Sequence, residues 1–255
     1  MAILWQTQKQ GINYEVRSAG RTRRLYTDGV FHSQYNHSRP VTGSVWDLLL
    51  LPVFFHPMNT VQRVLVLGVG GGAVINQINH FLSPPEIVGV ELNATHLYIA
   101  KRFFAVRAKN LELIQANAIT WLEQYGGEKF DIIIDDLFGE VDGEPSRAVA
   151  ADRQWCQLLS RHLQPDGTLV MNFDTPRARQ TSYWWQQRRS AEVIKRWRSS
   201  FELSTKLYSN SVGVWTGQES NNLSRRFKEN LREFKALDQR RADCKLSFSL
   251  RKLTP

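Results

Sequence analysis

The chain has 255 residues, 42 % of them hydrophobic, and carries a net charge of +9. That length and apolar content suit one doubly wound domain, alone or with a small appendage, and exclude wholesale disorder. The two cysteines, Cys156 and Cys244, build no disulfide framework, and with no Cys/His cluster at ligand spacing they exclude a structural zinc site as well.

Sparse cysteine use fits a reducing cytoplasm. The start of the chain, Met1 to Gln6, shows no basic region followed by an apolar run, so no secretory signal is expected there. The most apolar stretch, Val45 to Phe55, is too short for a membrane span and contains Asp47 and Pro52; a buried helix or helix-to-turn segment is expected instead. Charge is unevenly spread. Residues 64–176 hold fourteen Asp/Glu against eight Lys/Arg, whereas 177–206 and 207–255 are basic. Basic flanks can attract nucleic acid, although a solvated helix face is the favoured explanation.

Residues 11–35 are short apolar runs broken by turn signals, Asp28-Gly29 the clearest, which predicts a small β-hairpin unit. From Val64 the pattern alternates. Strands are expected over 64–67, 87–90, 111–114, 130–134 and 168–173, and helices over 73–81, 94–104, 118–124 and 148–162. Continuous apolar strands alternating with helices predict a parallel sheet covered on both faces. The end departs from that rhythm: a helix over 181–199, two strands over 202–208 and 212–215 joined tightly enough to be antiparallel, a basic surface helix over 219–240 and a short strand over 246–250. The expected division is a small β unit over 1–45, a Rossmann-like domain over 46–218 and a basic helical extension over 219–255.

Gly68-Val69-Gly70-Gly71-Gly72 follows the first buried strand and opens a helix. Glycine allows a sharp turn and close ligand approach, and a helix N-terminus offers free N–H groups. Glu91 ends the second strand, nineteen residues after Gly72, where a carboxylate can accept both hydroxyl hydrogens of a ribose. Gly68, Gly70 and Ala73 also satisfy a dinucleotide fingerprint, so a nicotinamide cofactor competes with an adenosyl sulfonium compound.

Leu25-Tyr26-Thr27-Asp28-Gly29, Leu51-Pro52, His56-Pro57, Val64 to Gly72, Val90-Glu91-Leu92, Phe130 to Asp136 and Leu163 to Gly167 occur in an order that resembles the spermidine synthase family and its methyltransferase-like relatives. The resemblance covers about Leu25 to Gly217. It implies a Rossmann-like α/β fold whose mostly parallel, seven-stranded sheet ends in an antiparallel strand. It implies S-adenosylmethionine or its decarboxylated form, held by Gly68, Gly70, Gly71, Gly72, Glu91 and Leu92. Asn117-Ala118 stands where the family carries an Asp-Gly that reads adenine, and the family's catalytic Asp falls on Asp136. A homodimer is also implied.

The departures bear on function. Aminopropyltransferases of this family carry an Asp where this chain has Gly71, and Asp-Ser-Ser-Asp where it has Asp136-Leu137-Phe138-Gly139. Their Tyr-His-Glu triplet has no counterpart in Ser44 to Asp47, and His32 replaces a glutamine. Asp136 to Glu140, with Pro145 and Asn172, resembles the spermidine synthase-like branch instead.

Either reaction displaces a sulfonium from carbon, so aligning the reactants supplies much of the acceleration. Asp136, at the end of the fourth strand, is placed to take the proton of an attacking amine; Asp135 is its rival, and only one of two adjacent strand residues faces the ligand. Gly71 removes a negative charge that would repel the carboxylate of ordinary S-adenosylmethionine. Glu140, Asp142 and Glu144 can compensate in part, although a solvated loop is the favoured use of that acidic cluster. These charge arguments favour methyl transfer to a small-molecule acceptor over aminopropyl transfer to an amine. A non-catalytic nucleic-acid-binding module is the alternative from another class. Asn117 can read adenine or cap a helix, and Leu92 and Ile114 are candidates to sandwich the base.

Overall fold

In the computed structural model the chain begins with four strands, β1 (Ala2–Lys9), β2 (Ile12–Ala19), β3 (Thr22–Thr27) and β4 (Val30–Tyr35), in one antiparallel sheet of that order. The structure describes residues 1–141, 143–219 and 221–254; Asp142 lies outside them. The expected hairpin is thus half of a four-stranded unit. Its turn is the two-residue Asp28-Gly29 loop, both at positive φ (46° and 84°), the primed geometry that matches strand twist. Val45 to Phe55 forms α1 (Val45–Leu50) and a 3-10 turn (Leu51–Phe55), every residue buried.

The alternating region follows as expected: β5 (Arg63–Leu67), α2 (Ala73–Phe81), β6 (Glu86–Glu91), α3 (Ala94–Phe103), β7 (Leu111–Gln115), α4 (Ala118–Gln124) and β8 (Phe130–Asp135). β5, β6 and β8 are buried on nearly every residue, the pattern of parallel strands covered on both faces. Beyond β8 the expectation needs correcting. β9 (Phe138–Val141) and β10 (Glu144–Arg147) form a hairpin, and the helix expected over 148–162 is only α5 (Arg153–Arg161). Ala148 N–H is taken by the Leu137 carbonyl (2.9 Å), and the Asp152 carboxylate caps the helix at Trp155 N (2.9 Å).

β11 (Leu163–Phe173) is followed by α6 (Pro176–Gln180), α7 (Tyr183–Gln186) and α8 (Ala191–Arg196), where one helix over 181–199 was expected. Serines break it: the Ser182 hydroxyl donates to the Arg179 carbonyl (2.7 Å) just before α7, and Ser190 caps α8 by accepting from Val193 N (3.3 Å), because short hydroxyl side chains compete for backbone hydrogen bonds. Trp184 is buried, while the guanidiniums of Arg179 and Arg188 lie over the ring of adjacent Trp185, 4.5 and 4.3 Å from its centre.

β12 (Ser199–Ser204) and β13 (Ser211–Thr216) are antiparallel neighbours. Instead of a solvated helix over 219–240, α9 (Leu223–Arg232) buries Leu223, Phe227 and Leu231. Phe55 stacks between Phe227 (4.6 Å) and Phe201 (4.7 Å), and Asn230 donates to the Phe54 and His56 carbonyls. β14 (Ser249–Leu253) pairs with β12, so the main sheet has eight strands rather than seven, ordered β14-β12-β13-β11-β8-β5-β6-β7. Its five parallel strands lie side by side from β11 to β7, and β13 runs antiparallel to β11. No helix among the described residues is long and apolar enough to cross a membrane.

Candidate functional site

The C-terminal ends of β5, β6, β8 and β11 open on a cavity of about 450 Å³. In an open parallel sheet this is where ligands bind, beside the point at which the strand order reverses. The N-terminal sheet covers it with Thr27, Phe31 and His32, α1 with Val45 and Trp46, and the β9–β10 hairpin with Phe138, Glu140 and Pro145. Tyr208 and Asn210, from the β12–β13 connection, complete the wall.

Of the residues singled out from sequence, Gly68, Gly70, Glu91, Leu92 and Asp136 line this cavity. Gly68 has φ 83°, and a Cβ there would sit 2.2 Å from the Asp136 carbonyl oxygen, so strand five's turn and strand eight's end meet only through glycine. Gly71 and Gly72 do not reach the wall. A Cβ on Gly71 would lie 2.7 Å from Ser33 Cβ and 2.9 Å from Phe104, and one on Gly72 2.6 Å from Val106. Gly71 is a packing position. We expect Gly71→Ala to lower stability by about 1–3 kcal/mol through overpacking, read as a lower urea midpoint at unchanged slope.

Asn117 and Ala118 are also off the wall. The Asn117 side-chain oxygen caps α4 through Ile119 N (2.9 Å) and Thr120 N (3.3 Å). Ile114 packs among core residues. Asp47, at the place of the family's triplet, lies outside as well: its Oδ2 accepts from the N–H groups of Thr42, Gly43 and Ser44 and its Oδ1 from Gln77, which fixes the entry to α1.

Glu91 faces the glycine loop. Its Oε2 accepts from Val69 N (3.0 Å) and Gly70 N (2.8 Å), and its Oε1 from Asn93 N (2.8 Å). A carboxylate has about four acceptor positions, so one is left. Glu91, expected to take both ribose hydroxyls, thus has three of its roughly four acceptor positions held by backbone amides. His96 stands beside it, Nδ1 3.9 Å from Oε1, with Nε2 bonded to Thr27 Oγ1 (2.8 Å). His32 packs 5.1 Å from the His96 ring. Burial drives the pKa of each histidine down to about 4; for His32 proximity to His96 adds to this and Glu91 opposes it. Both rings are neutral at pH 7.

The rivalry between Asp135 and Asp136 is resolved by the pleat. Asp135 is fully buried on the far face, where its Oδ2 accepts from Arg147 (2.7 Å) and from Trp155 Nε1 (2.8 Å). Asp136 lines the cavity, its Oδ1 accepting from Asn172 Nδ2 (2.8 Å), while Asn172 Oδ1 accepts from Asn210 (3.1 Å). Burial, with the negative charges of Asp135 and Glu91, pushes the Asp136 pKa up to about 6, against the Asn172 hydrogen bond and Arg147.

Sequence reasoning did not place Phe31, Trp46, His96, Tyr208 or Asn210 at the site. They come from the covering sheet, α1, the first turn of α3 and the β12–β13 connection, which no strand-end rule reaches. Among the described residues the cavity wall holds four carboxylates, Asp28, Glu91, Asp136 and Glu140, and no Lys or Arg.

Residues 47–225 match the family model described as spermine/spermidine synthase domain. The chain is 27 % identical over 107 residues to polyamine aminopropyltransferase 2 of Caldanaerobacter subterraneus subsp. tengcongensis, covering 40 % of this chain and 35 % of that protein. It is 28 % identical over 123 residues to thermospermine synthase ACAULIS5 of Arabidopsis thaliana, covering 46 % and 35 %. The matched region is thus about a third of the length of these relatives. A probable spermidine synthase from Corynebacterium glutamicum superposes with a TM-score of 0.70 at 14 % identity, covering 99 % of this chain and 91 % of that one. Spermidine synthase from Thermotoga maritima gives 0.66 at 17 %, covering 92 % and 78 %. At such identities the shared feature is the fold.

Proposed function

The chain belongs to the spermine/spermidine synthase domain family, and on that premise we propose that it transfers an aminopropyl group from decarboxylated S-adenosylmethionine to an amine. The observation that carries this reading is the charge of the cleft: four carboxylates, two neutral histidines and no cation among the described lining residues. Ordinary S-adenosylmethionine would bring a carboxylate into that wall with no Lys or Arg to pair it, and like-charge juxtaposition costs several kcal/mol. The decarboxylated compound has an ammonium and a sulfonium and no carboxylate. Sequence reasoning at Gly71 favours methyl transfer, but Gly71 packs against Ser33 and Phe104 and does not line the cavity, so the carboxylates that do line it carry more weight.

The cavity fits such a donor. Gly68 and Gly70 bring backbone to its edge, Leu92 gives an apolar face, and Glu91 keeps an open acceptor position for a ribose hydroxyl. When bound, the donor supplies a carbon activated by its sulfonium leaving group. Asp136 does the proton work: held by Asn172 and raised toward neutrality, it accepts a proton from an ammonium near pH 7 better than an ordinary carboxylate does. The apolar wall excludes water that would compete as nucleophile.

The test is a turnover assay with a mixed panel of amines, read by mass spectrometry. Methylthioadenosine formed from the decarboxylated donor is expected. S-adenosylhomocysteine from ordinary S-adenosylmethionine, with no methylthioadenosine, would overturn the reading.

A further inference from the structure

We propose that Asn210 is a positioning residue for the proton-accepting group: it fixes which end of the Asn172 amide faces Asp136, and so holds Asp136 as a carboxylate. This rests on the aminopropyl-transfer reading above. In that step the amine nitrogen bonds to the propyl carbon and the C–S electron pair returns to sulfur, giving methylthioadenosine. The displaced N–H proton goes to Asp136.

The two ends of a side-chain amide are unlike: the oxygen accepts and the NH₂ donates. Both ends of Asn172 are in use. Its Nδ2 donates to Asp136 Oδ1 (2.8 Å), and its Oδ1 accepts from Asn210 Nδ2 (3.1 Å). Asn172 is buried, and its backbone carbonyl is held by Arg147 (2.6 Å), so the choice left open is the orientation of the amide. An NH₂ turned to Asp136 favours the ionised form. A carbonyl oxygen turned there accepts only from the protonated acid. Among the described residues, Asn210 is the donor that meets Asn172 Oδ1 and keeps that oxygen turned away from Asp136.

The sheet register brings the three residues together. Met171 pairs with Asp135, which places Asn172 beside Asp136. Val212 pairs with Asn172, so Asn210, two residues earlier, is its diagonal neighbour on the same face of the antiparallel pair. All three line the cavity. The charges that act on Asp136 come from Asp135 of β8, Glu91 of β6 and Arg147 of β10. The other titratable lining residues are Asp28, His32, His96, Glu140 and Tyr208. Replacing Asn210 by Ala alters none of these groups and removes only the donor to Asn172. Asn210 is half-buried and lies outside the strands, which makes it the gentler site to change.

The experiment follows the carboxyl ¹³C signal of Asp136 against pH in protein labelled at aspartate, the signal being identified by its loss in Asp136→Asn. In Asn210→Ala the midpoint should rise by at least about half a pH unit, because the freed amide can present its oxygen to a protonated Asp136. In Asn210→Asp it should rise further: the introduced carboxylate accepts from the Asn172 NH₂, turns the carbonyl to Asp136 and adds negative charge. Methylthioadenosine release from decarboxylated S-adenosylmethionine, with putrescine, cadaverine and spermidine as acceptors, should show the acid limb of log kcat/KM moving up by the same interval. Donor affinity should stay within about two-fold, since Asn210 acts through Asn172. An unmoved midpoint in Asn210→Ala overturns the assignment of Asn210 alone, and a raised acceptor KM beside it would make Asn210 an acceptor contact. A moved midpoint with no methylthioadenosine from any of the three amines overturns the transfer reading on which the assignment rests.

Discussion

Replacing Asp136 by Asn is expected to reduce kcat/KM by about 10²–10⁴-fold, the range for loss of a positioned general base, with donor affinity nearly unchanged. The amide keeps the shape and can still meet Asn172, but it has no site for the amine proton. The pH profile separates this from a structural effect. Because the Asp136 pKa is raised to about 6, the basic form dominates above that pH. Log kcat/KM in the parent should rise with unit slope up to about pH 6 and then level. In Asp136→Asn that limb disappears. An unchanged limb in the variant would assign the ionisation elsewhere.

Arg147→Ala is expected to destabilise the fold by about 3–5 kcal/mol, because it leaves Asp135 as an uncompensated buried charge. For a chain of this size that is roughly 10 °C in melting temperature. Arg147 also donates to the Asn172 carbonyl (2.6 Å) and the Val149 carbonyl (3.2 Å), so it ties the β9–β10 hairpin to the end of β11. Its loss should therefore raise the KM for the acceptor as well as lower stability. Adding Asp135→Asn to Arg147→Ala should recover part of the stability, since a neutral amide oxygen still accepts from Trp155. A melting temperature within 2–3 °C of the parent, about 1 kcal/mol on the same scale, would show that water reaches Asp135.

The alternating half of the fold was legible because its signals are local. Short strand runs, the first three each followed by a helix opened by a glycine or asparagine, fix β5 to β8 almost residue by residue, and the helices over 73–81 and 118–124 coincide with expectation. The errors fall where tertiary partners override propensity. Ala148 to Ala151 favour helix by composition, but the backbone of Ala148 is bonded to Leu137 across the hairpin base. The basic 219–240 segment hides Leu223, Phe227 and Leu231 at helical spacing among its charges, and only the partner Phe55 shows that this face is buried.

At the site, Glu91 and Asp136 were readable from their position at strand ends. Gly71 and Asn117 misled, because a motif position does not say which way a residue points. Gly71 turns to Ser33, and the side-chain oxygen of Asn117 is committed to α4. The aromatic wall could not be read, since Phe31, Trp46 and Tyr208 come from three segments that meet only in the folded chain.

Titration calorimetry of the purified chain with the two donors tests the central claim most directly, namely that an acidic cleft with no Lys or Arg among its described lining residues selects a ligand without a carboxylate. The account predicts that decarboxylated S-adenosylmethionine binds at least ten-fold more tightly than S-adenosylmethionine, with the gap narrowing as salt is added. Equal affinities, or tighter binding of the carboxylate-bearing form, would contradict it.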